Sequence, residues 1–488
     1  MQILIVVSEA LPYIKTGGLA DVSGSLPVQL ARAGHSVLLV IPYYKSIRFK
    51  GKEPRKVVYT LRAPMGDTSI ACACWEVVES DKLRVCLIEN DFYFDRTPIY
   101  DNGSEAYEDN GARFAFFSKA SLDLSKQIGF RPDIVLCNDW QTALIPYYIK
   151  CWDWGNGFFD NTASILAIHN LGYQGHTNRS YSRFIGLNWM QMREEEFEEG
   201  GSINLLKGGI FYADKLITVS PTYAAEILSE PGGHGLSEFL VRRREDLVGI
   251  VNGIDTNEWN PKTDVYIPEN YDTEDLGGKK TCKMELQRQF LLRMKSDIPI
   301  FGFVGRLASQ KGLDVLRSCI DRILAWELQL VFLGSGDSSF AHYFGELPKY
   351  RFGKVGSYIG YDAEKAHLIE AGSDFFLMPS QYEPCGLNQI YSMIYGTLPI
   401  VRATGGLNDT VRNYDPEKGN GTGFLFSDMT PEALVNTIGW ALDTWYNRKE
   451  DYRKMQRRAM RQDFSWDRPI REYEKTFKQA ISRRRTWH

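Results

Sequence analysis

The chain opens on an apolar run of strand length, residues 2–7, with no polar alternation. Apolar residues then recur at helical spacing from Leu19 to Ala33, and Val37-Leu38-Leu39-Val40-Ile41 is a second continuous run. Continuous runs bounded by polar turns predict strands buried on both faces, and the amphipathic stretch between them predicts a βαβ unit. Further strand-like runs follow at 135–137, 164–168, 216–220 and 247–251, after one irregular insertion. A second series begins later, at 300–304, 328–333, 374–378 and 398–401. Strands alternating with helices imply an α/β fold with parallel sheets covered on both faces. With 488 residues, two such series exceed one core, so a first domain over 1–250 and a second over 251–463 are expected, with a hinge near 248–256. Residues 464–488 read as a terminal helix.

In open α/β sheets ligands sit beyond the carboxyl ends of the strands, so the polar residues that end each run carry the chemistry. Lys15-Thr16-Gly17-Gly18-Leu19-Ala20-Asp21-Val22 lies between the first strand and the first helix. Gly17 and Gly18 let a ligand approach the backbone, and the helix start offers N–H groups and a positive dipole end to an anion. A related turn recurs at Thr404-Gly405-Gly406-Leu407-Asn408-Asp409. Arg306 and Lys311, five residues apart after the run at 300–304, place two cations where a diphosphate could be clamped and its departing charge neutralised. The densest stretch is Gln381-Tyr382-Glu383-Pro384-Cys385-Gly386-Leu387-Asn388, where Pro384 and Gly386 shape a turn that presents Glu383. A carboxylate there can accept hydrogen bonds from sugar hydroxyls or stabilise positive charge on an oxocarbenium-like carbon. His169 and Asp139 end two runs of the first series, level with the loop of Lys15.

Composition narrows the class further. The chain is 43% apolar and 24% charged with a net charge of −4, so no basic excess points to nucleic acid. Arg483-Arg484-Arg485 reads as a solvated tail. No run reaches the roughly 18 apolar residues of a membrane span, and the opening residues read as a strand and not a leader. Eight cysteines without a Cys-x-x-Cys suit reduced thiols in a cytoplasm. Cys72 and Cys74 are expected on one face of a strand as core. There is no Asp-x-Asp, His-Glu-x-x-His, Gly-x-Ser-x-Gly or Gly-x-x-x-x-Gly-Lys-Ser/Thr. Gly334-Ser335-Gly336 lacks the third glycine of a dinucleotide fingerprint. Charge neutralisation by lysine and arginine, with no metal and no cofactor, is the expected chemistry.

The loop at 15–22 together with Glu383-Pro384-Cys385-Gly386-Leu387 resembles the bacterial glycogen synthase and plant starch synthase family. The resemblance extends through Arg113-Phe114-Ala115-Phe116-Phe117-Ser118, Asn138-Asp139-Trp140-Gln141, the stretch 169–175, Val251-Asn252-Gly253-Ile254-Asp255, Arg306-Leu307 with Lys311-Gly312, and Tyr395-Gly396-Thr397-Leu398-Pro399. It implies a GT-B fold: two Rossmann-like domains facing a deep interdomain cleft, with the last helix returning to the first domain. It implies retaining transfer of glucose from a nucleotide diphosphate glucose, usually ADP-glucose, to the non-reducing 4-hydroxyl of an α-1,4-glucan. On that resemblance Lys15, His169, Arg306, Lys311 and Glu383 are catalytic. Gly17, Gly18, Asp21, Asn252, Cys385, Gly386, Leu387 and Asn388 bind substrate, Tyr361 stacks on the base, and Tyr100 and Asp139 fall on the acceptor side. Asn388 stands where some members have threonine, and Tyr391 stands where related transferases carry a ribose-binding glutamate. UDP-glucose remains open as donor, because stacking tolerates either base. A catalytically silent glucan-binding subunit is the competing reading, but the charged residues such a subunit would shed are all present. A phosphorylase of this fold would need a pyridoxal phosphate lysine.

Overall fold

The computed structural model describes residues 1–49, 51–103, 105–152 and 157–486. The chain forms two compact units, Met1–Gly253 with Trp466–His488 and Ile254–Ser465. The first unit is built on strands β1 (Gln2–Val6), β2 (Ser36–Pro42), β3 (Arg55–Met65), β4 (Thr68–Ser80), β5 (Leu83–Glu89), β6 (Ile134–Asn138) and β7 (Ala163–Ile168). Three short strands follow, β8 (His176–Thr177), β9 (Glu198–Glu199) and β10 (Ser202–Asn204), before β11 (Lys215–Thr218) and β12 (Leu247–Gly249). The main sheet runs β12-β11-β7-β6-β1-β2-β5-β4-β3, and β8-β10-β9 form a separate small sheet. β1 pairs in parallel with both β2 and β6, with Ile3 opposite Val37 and Ile134. Strand order therefore reverses at β1 and β6, and the crevice beyond their carboxyl ends is where such sheets bind ligands.

The insertion that reads as irregular is ordered. β3 and β4 form an antiparallel hairpin that extends the sheet from β5. Register shifts between Lys56 and Leu61 break the period-two pattern, which hides β3 from a periodicity reading. Cys72 and Cys74 are both buried in β4 with free thiols, as core residues.

The second unit carries β13 (Ile300–Val304), β14 (Gln329–Gly334), β15 (Val355–Ile359), β16 (Phe375–Met378), β17 (Leu398–Arg402) and β18 (Phe424–Phe426). Its sheet is parallel throughout in the order β15-β14-β13-β16-β17-β18. Its reversal falls between β13 and β16. Apart from the exposed end of the edge strand β15, the strands are largely buried, as a sheet covered on both faces requires.

The terminal helix Asp467–Arg485 belongs to the first unit and buries Ile470, Tyr473, Phe477 and Ala480 along one stripe. Of the three arginines expected as a solvated tail, Arg485 is exposed, but Arg483 and Arg484 are anchored there. Arg484 is fully buried and donates through Nε to the Asp160 carbonyl at 3.1 Å, while Arg483 pairs with Asp246. Gly253 lies against Trp466, where a Cβ would come 2.7 Å from the indole. Among the described residues no helix is long and apolar enough to cross a membrane.

Candidate active site

In the first unit the site is built at the carboxyl ends of β1, β6 and β7. Beyond β1 the chain turns through Glu9 and returns as the loop of Lys15. Thr16 donates its N–H to Glu9 Oε2 at 2.5 Å, Gly17 N–H reaches the same oxygen at 3.3 Å, and the Thr16 hydroxyl donates to Oε1 at 2.8 Å. Glu9 is only 3% exposed. Burial pushes its carboxyl up from the usual range, and the Thr16, Gly17 and Tyr100 donors oppose that rise. The Thr16 and Gly17 amides just ahead of the helix are thus taken by an internal carboxylate. What the loop presents outward is Lys15, whose Nζ lies 2.7 Å from Asp21 Oδ1, and the two glycines. Burial raises the Asp21 carboxyl, and the Lys15 charge works against the rise. A Cβ at Gly17 would meet no protein atom within 4 Å, and the residue is extended at φ −153°. Its glycine serves neither backbone conformation nor internal packing, and so leaves room for a ligand.

Asp139 follows β6 at φ +54° and ψ −170°, a region that non-glycine residues seldom occupy. Its carboxylate accepts the N–H of His169 at 2.7 Å and of Asn170 at 3.4 Å, which holds the strained turn in place. Burial lifts that carboxyl to about 7. His169, at the end of β7, is pushed down to about 4 by burial, so it is neutral near pH 7. Its tautomer follows from its partner. Asn138 Nδ2 donates to the Val6 carbonyl at 3.0 Å, so Asn138 Oδ1 is the atom 2.9 Å from His169 Nε2. Nε2 therefore carries the proton, and Nδ1 keeps a lone pair that can accept from a sugar hydroxyl. Tyr100 joins the same cluster: its hydroxyl lies 2.7 Å from Ser8 Oγ and 3.3 Å from Glu9 Oε1. Asn252, near the end of this unit, is buried and its Oδ1 has no hydrogen-bond partner among the described residues.

In the second unit the cluster sits at the reversal point. Lys311 Nζ lies 2.5 Å from Glu383 Oε2, and Ser380 Oγ donates to the same oxygen at 3.0 Å. Gly312 makes this approach possible. It takes φ +70°, and a Cβ there would stand 1.9 Å from the Pro379 carbonyl oxygen. The preceding loop is pinned as well, because Leu307 N–H donates to the Ser335 carbonyl at 2.8 Å and leaves Arg306 exposed. Gly386 takes φ +69°, and Gln389 Nε2 donates to the Cys385 and Gly386 carbonyls at 3.0 and 2.9 Å. Cys385 is buried and in no disulfide, and Leu387 precedes the helix Asn388–Ile394. Asn388 donates through Nδ2 to the Val304 carbonyl at 2.9 Å, tying this helix start to the end of β13. Tyr361 stands beyond β15 and is 72% exposed, which leaves its ring face open to stacking. Tyr391 is buried against Trp259, with ring centroids 3.8 Å apart, so it is committed to packing.

The structure thus gathers Lys15, Gly17, Gly18, Asp21, Tyr100, Asp139 and His169 on one sheet's carboxyl edge. It gathers Arg306, Lys311, Glu383, Cys385, Gly386, Leu387 and Asn388 on the other's. Glu9, Asn138, Ser380 and Gln389 were missed. Glu9 and Ser380 had a legible signal, because each is a polar residue two positions after a buried run.

Comparison with known proteins accounts for both halves. Residues 2–242 match the starch synthase catalytic domain family, and residues 287–462 match the glycosyl transferases group 1 family. A glycogen synthase of Geobacter metallireducens is 42% identical over 486 residues, covering 99% of this chain and 97% of that protein. The chain belongs to the glycogen and starch synthase family. Another glycogen synthase of the family, from Thermotoga maritima, is 41% identical over 488 residues, covering 99% of each chain. The solved catalytic domain of starch synthase IV from Arabidopsis thaliana, bound to ADP and acarbose, superposes with a TM-score of 0.91 at 31% identity, covering 98% of this chain and 99% of that one. The family's GT-B fold is the fold of this chain.

Proposed function

We propose that the protein elongates an α-1,4-glucan by transferring glucose from ADP-glucose to the non-reducing 4-hydroxyl, with retention at the anomeric carbon. The observation that carries this reading is the Lys311–Glu383–Ser380 cluster at the strand-order reversal of the second unit, beside the exposed Arg306. Arg306 and Lys311 hold the diphosphate and neutralise the charge that grows as the bond from C1 to the phosphate oxygen breaks. Glu383 faces the positive charge that develops at C1. The acceptor 4-hydroxyl oxygen bonds to C1 on the face the diphosphate leaves, and its proton passes to the departing phosphate oxygen. No covalent enzyme intermediate forms. Lys15 adds a cation from the first unit, His169 accepts a glucose hydroxyl at Nδ1, and Tyr100 with Asp139 receives the glucan. Asn252, with its free Oδ1, is assigned to the donor glucose, and Tyr361 to the adenine face. In this reading neither metal nor cofactor is required, the substrates are a nucleotide diphosphate glucose and a glucan, neither nucleic acid nor a membrane is a partner, and the enzyme is cytoplasmic.

The test is initial rate with ADP-glucose and UDP-glucose at matched concentration, with maltooligosaccharide as acceptor and NMR of the new linkage. Faster turnover with ADP-glucose and an α-linked product are expected. Absence of glucosyl transfer from either donor overturns the proposal, and preference for UDP-glucose overturns its donor assignment.

A further inference from the structure

Glu9 lies where two loops with different assignments meet. Its Oε2 accepts the Thr16 and Gly17 amides, its two oxygens share the Thr16 hydroxyl at 2.8 and 2.9 Å, and Oε1 also receives the Tyr100 hydroxyl at 3.3 Å. Successive backbone amides in a turn form a nest for an anion, and here a side chain of the protein itself fills it. The Tyr100 side is held stiffly from behind. Asn110 Nδ2 donates to the Tyr100 carbonyl at 2.8 Å, and the buried Arg113 donates to Asn110 Oδ1 at 3.1 Å and to the Ile99 carbonyl at 2.9 Å. This gives a task to the Arg113-Phe114-Ala115-Phe116-Phe117-Ser118 motif that the catalytic reading leaves unused. With the Tyr100 backbone fixed, displacement of its hydroxyl by a ligand is passed to Glu9. From Glu9 it reaches the two amides that shape the loop carrying Lys15.

We propose that Glu9 is a positioning residue that couples the glucan side of the site at Tyr100 to the donor side at Lys15. The inference rests on the assignment of Tyr100 to the acceptor and Lys15 to the donor. A glucan seated against Tyr100 then sets the geometry of the Lys15 loop before transfer, and the carboxylate is the only link it needs. A cap with a purely structural role would support the loop equally whatever Tyr100 contacts.

The test combines Glu9→Gln, Tyr100→Phe and the double variant in the full chain. A glutamine keeps the shape, and its oxygen can still accept the Thr16 and Gly17 amides, but it carries no charge and its NH2 turned to Tyr100 reverses the direction of that hydrogen bond. Steady-state kinetics with ADP-glucose and maltooligosaccharide are read beside hydrogen exchange of the Thr16 and Gly17 amides without substrate. In Glu9→Gln the exchange is expected to accelerate by about tenfold and the donor KM to rise by about tenfold, the loss of one charge-assisted hydrogen bond. Tyr100→Phe is expected to raise the donor KM as well as the acceptor KM, and to leave the donor KM unmoved when Glu9 is already glutamine. Additive effects, or a Tyr100→Phe variant that alters the acceptor KM alone, overturn the coupling. If Glu9→Gln does not fold, Tyr100→Phe alone decides through the donor KM and the exchange of Thr16 and Gly17. Unchanged exchange there overturns the proposal. Should the wild-type chain transfer no glucose, the proposed function fails, while the exchange measurement still judges the link through Glu9.

Discussion

Thr-Gly-Gly-Leu occurs twice, each time after a buried parallel strand and at the start of a helix, and the two copies have opposite surroundings. At Thr16-Gly17-Gly18-Leu19 the first glycine is extended and a Cβ would meet open space. At Thr404-Gly405-Gly406-Leu407 the first glycine takes φ +44°, and a Cβ would stand 2.0 Å from the Glu383 carbonyl oxygen. A Cβ on Gly406 would stand equally close to the Cys385 carbonyl, and its N–H donates to the Glu383 and Pro384 carbonyls at 3.1 Å. The residue before the first copy is Lys15 and before the second is Ala403. Gly17 in the first copy leaves room for a ligand, and the glycines in the second let one loop pack against another that carries Glu383. On the proposed function, the same four letters serve the substrate in one unit and the scaffold of the Glu383 carboxylate in the other.

That contrast is open to direct attack, and the largest effect belongs to the first copy. Lys15→Ala is expected to lower kcat by about 10²–10³-fold, the usual loss when one preorganised charge partner is removed, with at most a small drop in thermal midpoint from the lost pair with Asp21. Near-normal turnover would end the assignment of this loop to the donor. In the second copy the outcome is inverted. Gly406→Ala forces the 383–385 segment to shift and is expected to cost about 1–3 kcal/mol of stability, read from a denaturant midpoint. Gly17→Ala should stay within about 0.5 kcal/mol of wild type in the same melt and raise the donor KM instead. If Gly17→Ala unfolds the chain and Gly406→Ala does not, the two roles are exchanged.

Smaller effects sharpen the picture. Ser380→Ala removes one of the two donors on Glu383 Oε2 and is expected to lower kcat by about tenfold with little change in donor KM. An unchanged kcat would show that Lys311 alone orients the carboxylate. Asp139 is held up at about 7 by burial, so its charged form accumulates as pH rises through that value. A glucan hydroxyl donates more strongly to the ionised carboxylate, so kcat/KM for the glucan should climb between about pH 6 and 8. Asp139→Asn should flatten that limb, and a limb that survives would assign it to another group. The least effect is expected from Asn388→Thr, which gives up the bond to the Val304 carbonyl and should cost about 1 kcal/mol in stability or donor binding.

The run of buried strands was legible because strands covered on both faces are continuously apolar, and β1, β2, β6, β7 and β13 show it plainly. The hairpin β3–β4 was not, since a bulged antiparallel strand at a sheet edge alternates imperfectly. The cations and the Glu383 loop were legible as polar residues closing apolar runs. Their order on the sheet was not, because strand order depends on pairing between segments far apart in the chain.

By itself the sequence determined the two α/β series, the family, and the residue types that close each strand, since these follow from local periodicity and from motif residues at set spacing. Only the tertiary structure decided that Glu9 fills the amides of the Lys15 loop and that Asn138 sets the tautomer of His169. It alone showed that Ser380 shares Glu383 with Lys311, that Arg484 is buried and not solvated, and that one Gly-Gly pair is open while the other is packed shut. Each of these turns on which distant groups come within about 3 Å, the range over which a hydrogen bond forms or a Cβ is refused, and no local pattern encodes that distance.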